Sequence, residues 1–564
     1  MKKLRVGFLI DDLQPNQYVI DLIDFVANNK YFDVPVLITG YKLKSSKTFT
    51  QKLIDIFKKD PIQFVNNIFR IIFLRVIRII EIKIVLKRFP KYKTNDGETI
   101  LKLYEIIKVA GTWSKSDSFL KFTDKDLSLI SNHNLDCIIR CGSGILKGEV
   151  LNLTEFGVIS FHHGDNRVNR GGPSGFWEVF KGEPTSGFII QKLNQELDGG
   201  QVLYRGNVMT TDLWLANNAQ LLEKSNVFLM RLLLDLAINR VLPKPEGIRL
   251  HGNKLYKLPS TTILFKYLLI IIIPKIFERI VSRLLSPKIK RWSVAYANHN
   301  EHSKSLWQYM EVKNPKGRYL ADPFVFYHNE NNYIFVEDLF CKDNKGRISA
   351  IKIDKGKYEF LDVVLEEDFH LSFPFIFRDN DEIYMIPESC KNFDIRLYKC
   401  LEFPKKWKLE QVLMSNVSAA DTILIKQQDT WFMLTNICSA EIGDHNSELH
   451  VFYSEDLKSN LWKPIASGNP VIFDSLKARN GGLFFHNETI YRVNQVHGKT
   501  NYGKSFNINE VVKISKNEYV EKKISSIGAN FKDEIISTHH YSANASLAAV
   551  DFARYQRLKK AYKK

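Results

Sequence analysis

From residue 319 onward the chain repeats itself, and that rhythm limits the folds open to it. Five stretches open alike: YLADPFVF at Tyr319, LSFPFIF at Leu371, SAADTILI at Ser418, ARNGGLFF at Ala478 and STHHYSAN at Ser537. Several lead into a polar turn and an aromatic strand, as in HNENNYIFVE, RDNDEIYMIPE, KQQDTWFMLT and HNETIYRVN. Measured from Asp322, Phe373, Asp421, Asn480 and His539, the steps are 51, 48, 59 and 59 residues, at or somewhat above the length of a propeller blade. One such unit cannot bury both faces of its sheet, so radial stacking is the physical solution. The spacing predicts an all-β, five-bladed propeller-like domain over 296–552 and a basic tail over 553–564; a β-sandwich with irregular loops is the competing reading.

The first half follows a different grammar. Leu4 to Ile10 is a short apolar run, Asn16 to Phe25 has helical spacing, and Val34 to Ile38 is a second apolar run, the strand-helix-strand opening of an α/β domain with a mostly parallel sheet. The pattern resumes with a strand at Asp136 to Ile139, part of a helix at Leu146 to Leu151, and a strand at Gly157 to Phe161. We assign 1–250 to this domain, with a basic amphipathic insertion near 61–92, and 251–295 to a hydrophobic and basic linker. Reactive groups in open α/β sheets lie beyond the carboxyl ends of the strands, where SFHHGDNRVNRGG falls.

Two segments combine aliphatic runs with cations: Phe64 to Tyr92, interrupted by Arg70, Arg75, Arg78, Lys83, Lys87 and Arg88, and Thr261 to Trp292, whose longest apolar run is Tyr267 to Pro274. Neither offers an uncharged span long enough to cross a bilayer. Each suits either a membrane interface or packing on the protein with cations outward. Pro274 is expected to kink or end a helix.

The balance of 80 Lys and Arg against 62 Asp and Glu, a formal charge of +18, favours anionic surroundings such as phospholipid headgroups or nucleotide-linked substrates. No zinc-finger spacing or single-strand-binding module accompanies it, so nucleic acid is not favoured. Six cysteines without a CxxC pair form neither a disulfide framework nor a metal knuckle. The opening MKKLRVGFLIDDLQ reaches Asp11 and Asp12 before a signal-peptide core develops. A cytoplasmic protein, peripheral at the inner face of the membrane, is the expectation; oligomeric state is not readable.

The segment GVISFHHGDNRVNRGGPSGFWEVFKGEPTSGFIIQKLNQELDGGQVLYRG, Gly157 to Gly206, resembles the core of the folate-dependent formyltransferases. That family's pattern is an Asn, one residue and His after a strand, then Arg-Gly, a Gly-x-x-x-Thr-Gly-like turn and an Asp-x-Gly. The resemblance implies His162 as catalytic histidine, Asp198 as catalytic aspartate, and Arg170 with Gly171 on the substrate side. CGSGILKGEVLNL looks like the family's cofactor-lining region, implying Cys141, Gly142, Gly144, Ile145 and Leu146 as the wall for 10-formyltetrahydrofolate. The family's asparagine is replaced by Ser160, a shorter and rotating donor to a tetrahedral oxyanion; Asn166, His163 or a backbone N–H are the substitutes available.

The chemistry fits the residue types. An amine attacking a formyl carbon sheds a proton, which an imidazole such as His162 can accept, and Asp198 can hold its tautomer. His163 orients the loop or meets substrate. His162 and His163, adjacent on a strand end, point apart and do not naturally share an ion. A single-metal site of His162, Asp165 and Asp198 remains the alternative, and we predict no metal. The VGFLIDDLQ opening lacks a GxGxxG fingerprint for a nicotinamide cofactor.

ADPFVF, IYMIPES, IRLYKCLEFPKKWKLEQVLM and LHVFYSEDLKSNLWKPIASGNPV look like the propeller domain found beside a glucosamine inositolphosphorylceramide glycosyltransferase in plants, and more distantly like five-bladed arabinanase and fructosidase propellers. That resemblance implies an axial funnel, with Asp322, Glu388, Asp421, His539 and His540 as candidates for a glycan site. Glycoside hydrolysis needs two carboxyl groups about 5 to 9.5 Å apart, and Ser372-Phe373-Pro374 stands where a second Asp-Pro would strengthen that reading. The expectation is formyl transfer to a nucleotide-linked or lipid-linked amino sugar in surface polysaccharide or glycolipid synthesis. The alternative is a glycan-binding or glycoside-processing propeller with an inactive or repurposed formyltransferase-like domain.

Overall fold

Val6–Ile10 is five buried residues in a row, the signature of a strand covered on both faces. In the computed structural model it sits near the middle of a seven-stranded sheet, ordered Gln201–Met209, Thr185–Lys192, Val158–His162, Cys137–Cys141, Val6–Ile10, Val36–Thr39, Glu105–Lys108. The last five of these pair in parallel, while Thr185–Lys192 runs antiparallel to both its neighbours. The structure describes all residues except 1, 41–59, 89–100, 115–118, 143, 169, 196–199, 248–254, 285–287, 299–305, 441–442, 500 and 558–564. Over most of its length the chain divides into two compact units between Ile276 and Phe277.

Where a helix was expected at Leu146 to Leu151, the chain forms a two-residue strand, Ile145–Leu146, and a single 3-10 turn, Glu149–Asn152. The apolar spacing there is satisfied by Leu146, Val150 and Leu151 reaching one core cluster, which a strand and a tight turn achieve as well as a helix.

The insertion is a helix, Pro61–Arg88, opened by Pro61 in the first turn, where its missing N–H is not needed, and by Asp60 accepting from the Gln63 N–H at 2.9 Å. Its inner face buries Ile77, Glu81 and Val85. Glu81 accepts from the Leu215 N–H at 2.7 Å and from the Tyr267 hydroxyl at 2.6 Å, whose oxygen accepts from the Trp214 N–H at 2.8 Å. Those amides begin the helix Trp214–Asn239 and lack intrahelical partners, so the glutamate both caps that helix and moors the insertion.

Of the residues expected as a linker, Leu255–Tyr256 pairs in parallel with Arg170–Gly171, and the second cationic segment begins at Thr261. Its Pro274 does not end a helix. A π turn, Leu268–Ile272, stands between Thr261–Tyr267 and Ile273–Leu284, and the wider turn takes up the proline's missing donor and bulk.

Beyond this, five antiparallel sheets follow, as the repeat count requires. Four are consecutive meanders beginning at Arg318–His328, Ser372–Asp379, Ala419–Gln427 and Asn480–His486. The fifth is composite: Lys288–Asn298 and Met310–Glu311 come from before the first meander, Tyr541–Ala543 and Leu547–Arg557 from after the last. Lys288–Asn298 pairs with Leu547–Arg557 across eleven consecutive residues. Residues 553–557, expected in a basic tail, are therefore the end of a central strand. The first strands of the four meanders and Tyr541–Ala543 touch in cyclic order, closing the ring.

Candidate functional site

In the α/β domain the motif lies where its pattern predicts, at the carboxyl end of Val158–His162, beside the carboxyl end of Cys137–Cys141 in register Arg140 to Ser160. Ser160 is buried, and its hydroxyl donates to the main-chain carbonyl of Phe161 (3.2 Å) or Arg140 (3.4 Å). His162, half-buried, ends the strand opposite Ile189. The His163 ring stacks on Phe161, meets the edge of Tyr18 and lies 3.1 Å from the Ser225 hydroxyl. Burial and then the charge of His162 hold its pKa down to about 3, so it stays neutral and orients the loop. Tyr18 and Ser225 were not flagged by sequence, since single residues on helices carry no motif.

Asp165 binds Arg167 at 2.7 Å and Arg205 at 2.5 Å. Burial pushes its carboxyl up, but the Arg167 hydrogen bonds and the two guanidiniums outweigh this and lower it. It serves as an anion held between two arginines. Asn166 accepts from the same Arg205 at 2.9 Å. At Gly171, φ is +89° and a Cβ would lie 2.1 Å from the Tyr256 carbonyl oxygen, so the close strand pairing of Arg170–Gly171 demands glycine. Along the expected folate wall, Cys141 ends the sheet strand and Gly142 follows it, Gly144 has φ +79°, Ile145 is exposed and Leu146 is buried. Burial raises the Cys141 thiol to about 12, which keeps it protonated and unsuited to act as a nucleophile. Asp198 lies outside the described residues.

At the propeller axis the five candidates meet. Four meanders carry the same irregularity in their first strand: register breaks at Ala321/Phe324, Ser372/Phe375, Ala420/Ile423 and Asn480/Gly482. In three of them the extra residue is left-handed: Asp322 (φ 50°), Phe373 (φ 45°) and Asp421 (φ 50°); in the fourth the unpaired residue is Gly481, followed by Gly482 at φ 130°. A bulge re-aims a side chain, and a left-handed non-glycine residue costs on the order of 1–3 kcal/mol, a strain that clusters at functional sites.

Those re-aimed groups are answered from other blades. Asp322 faces His539 Nε2 at 3.5 Å and His540 Nδ1 at 3.6 Å. His539 Nδ1 contacts Asp551, whose other oxygen accepts the N–H groups of His539 and His540 at 2.9 and 3.0 Å. Arg479 donates to Asp421 at 2.6 Å and lies 3.7 Å from Glu388. Gln495 also donates to Asp421, at 2.9 Å, and Glu337 pairs with His370 at 3.2 Å. Trp292 stacks on His539 at 4.1 Å between centroids, and Tyr502, 41% exposed, meets the same ring edge-on at 5.3 Å.

Burial pushes the Asp421 carboxyl up to about 7, helped by Glu388 and Asp322 and opposed by Arg479. At Asp322 burial pushes the same way, but His540, His539 and Arg479 outweigh it and hold the carboxyl below its ordinary value. Burial also raises Glu337. For His539 burial opposes charge, yet Asp551 and Asp322 lift it. Two carboxyls with opposite leanings are what acid-base chemistry at neutral pH needs.

Sequence reasoning missed Glu337, His370, Arg479, Gln495, Tyr502 and Asp551. The available signals were a lone aspartate inside the apolar run SLAAVDFA and an arginine directly before a repeat anchor. It also expected no metal, whereas the fold brings together Asp322, His539 and Asp551, all buried, with ligand atoms within 4.8 Å of one another. That is a donor set able to hold a cation.

Residues 308–538 match the family model described as glucosamine inositolphosphorylceramide transferase 1, N-terminal. The chain is 36% identical over 211 residues to glucosamine inositolphosphorylceramide transferase 1 of Arabidopsis thaliana, covering 36% of this chain and 27% of that protein. It is 28% identical over 131 residues to methionyl-tRNA formyltransferase of Clostridium perfringens, covering 23% of this chain and 42% of that protein. The chain thus spans about a quarter of the plant relatives' length. Among solved structures, the catalytic domain of the Coprinopsis cinerea GH62 α-L-arabinofuranosidase aligns at 12% identity and a TM-score of 0.33, covering 48% of this chain and 98% of that one.

Proposed function

We propose that this protein, which joins a formyltransferase-like domain to a propeller-like domain of sugar-processing type, recognises an amino-sugar glycan at the propeller axis and processes its glycosidic linkage there. The convergence of Asp322, Glu388 and Asp421 on Arg479, His539 and His540 from separate blades carries this reading. Ionised Asp322 suits a nucleophile or base, and Asp421, whose pKa is near 7, suits a proton donor. Tyr502, part exposed with its ring stacked on His497, supplies an aromatic edge against which a sugar ring can pack. The name of the plant relatives supports a glucosamine-bearing lipid or its nucleotide-linked precursor as the ligand class. The test is calorimetric binding and product release with glucosamine-containing glycolipids and nucleotide-linked amino sugars. Binding lost in Asp322→Asn and Asp421→Asn but kept in His162→Ala supports the proposal; sugar binding indifferent to both aspartates overturns it.

A second reading is formyl transfer from 10-formyltetrahydrofolate to the same amino sugar, favoured by His162 standing beside the Cys141 strand end. Cys141, Gly142, Gly144 and Ile145 are the residues that would hold the donor; buried Leu146 would support the wall from behind. His162 would accept the amine proton. Because the Ser160 hydroxyl faces main-chain carbonyls, it cannot meet the formyl oxygen without turning away from them. Amide formation that requires His162, measured with 10-formyltetrahydrofolate and nucleotide-linked amino sugars, tests this reading.

A further inference from the structure

The two cationic segments of the α/β domain form one surface. The helix Pro61–Arg88 packs against Thr261–Tyr267 and the π turn after it, sharing a core of Ile77, Val85, Leu264, Tyr267 and Ile271. Opposite that core, the insertion helix leaves Ile62, Val65, Phe69, Ile72, Val76 and Ile79 between 39% and 84% exposed, at alternating steps of three and four that put them on one face. The rings of Phe69, Phe73 and Phe265 follow one another at 6.2 and 5.8 Å, so the row continues onto the second segment, where Leu269, Ile270 and Ile273 are also exposed. Folded proteins rarely show so large a contiguous apolar surface unless something binds it.

Charge identifies the occupant. Arg75, Arg78, Lys83, Lys87 and Arg88 are exposed on the insertion helix, and its one acidic residue, Glu81, is buried as the cap described above. A second copy docking through this face would oppose like charge to like, because a two-fold interface puts each patch against itself. Among the described residues no helix is long and apolar enough to cross a bilayer. An apolar row flanked by cations, on a helix moored along its other side, fits a surface of acyl chains below anionic headgroups.

We propose that the helix Pro61–Arg88 and the segment from Thr261 to Ile276 form an in-plane docking surface for anionic phospholipid. The full chain should float with phosphatidylcholine vesicles containing phosphatidylserine, and recovery should fall with salt and without phosphatidylserine. Replacing two of the exposed arginines, Arg75→Gln with Arg78→Gln, should weaken vesicle binding roughly 25-fold. Ile72→Glu with Val76→Glu should abolish recovery with the thermal unfolding profile unchanged. Phe69→Trp, a milder probe, should show blue-shifted emission with these vesicles and quenching by brominated acyl chains. Recovery no greater than without lipid, or Phe69→Trp emission unmoved by vesicles, overturns the proposal. So does a concentration-dependent dimer that Ile72→Glu dissolves in a protein that does not float.

Discussion

Around His162 the polar residues are held by a sheet edge and its helices: Ser160 by carbonyls of its own and the neighbouring strand, His163 by Phe161, Tyr18 and Ser225, Asp165 by two arginines. At the propeller axis charges are answered across blades, Asp421 by Arg479 58 residues away and by Gln495 74 residues away. The first arrangement can lose a member and keep its frame. The second is a network of buried charges, so one deletion leaves others uncompensated.

The sharpest way to break that contrast is Arg479→Met. It strands Asp421 and Glu388 without their cation and should destabilise the propeller by about 3–5 kcal/mol, read in urea unfolding, whereas His162→Ala should leave the same transition unmoved. Next is Asp322→Asn, which should cut any glycoside-processing rate by roughly 100-fold or more and lower the unfolding midpoint less than Arg479→Met does, since His539 keeps Asp551; equal rate loss in His162→Ala would place the chemistry in the other domain.

Titration separates the two regions by sign. Folded Asp421 binds its proton more tightly than the unfolded chain, from an ordinary 3.8 up to about 7. Its contribution is fully present below about pH 4 and is lost as pH rises through 7. His163 is the reverse: lowered from 6.5 to about 3, it contributes above pH 6.5, and that contribution is lost as pH falls toward 3. Unfolding midpoints compared with Asp421→Asn and His163→Phe across this range should therefore diverge in opposite directions. The smallest effect expected is from Ser160→Ala, about 1 kcal/mol or less, since one hydroxyl hydrogen bond is lost; a larger loss would show that the hydroxyl does more than satisfy a carbonyl.

The repeat anchors were legible because each propeller meander needs its extra residue at the same place, so Asp322, Phe373 and Asp421 recur at blade spacing. Phe373 shows that the position is set by backbone geometry and its chemistry is chosen separately. The His162 motif was legible because strand end and loop are contiguous in sequence. What could not be read were partners supplied from distant blades: Arg479 reaches Asp421 across 58 residues and Gln495 across 74. Leu146 to Leu151 misled because apolar spacing over six residues fits a strand and a turn as well as a helix. Pro274 misled because a π turn upstream is invisible to periodicity.

The composite fifth blade has a consequence for biosynthesis. Synthesis proceeds from the amino end, and domains generally fold as they emerge, so the α/β domain can be complete while the ribosome is still adding blades. His539, His540 and Asp551 arrive with the last strands, and Lys288–Asn298 must wait more than half the length of the second unit for its partner. A nascent chain stalled before residue 547 would carry an open, unzipped edge and no assembled axis, a state for chaperones to guard and for proteases to find.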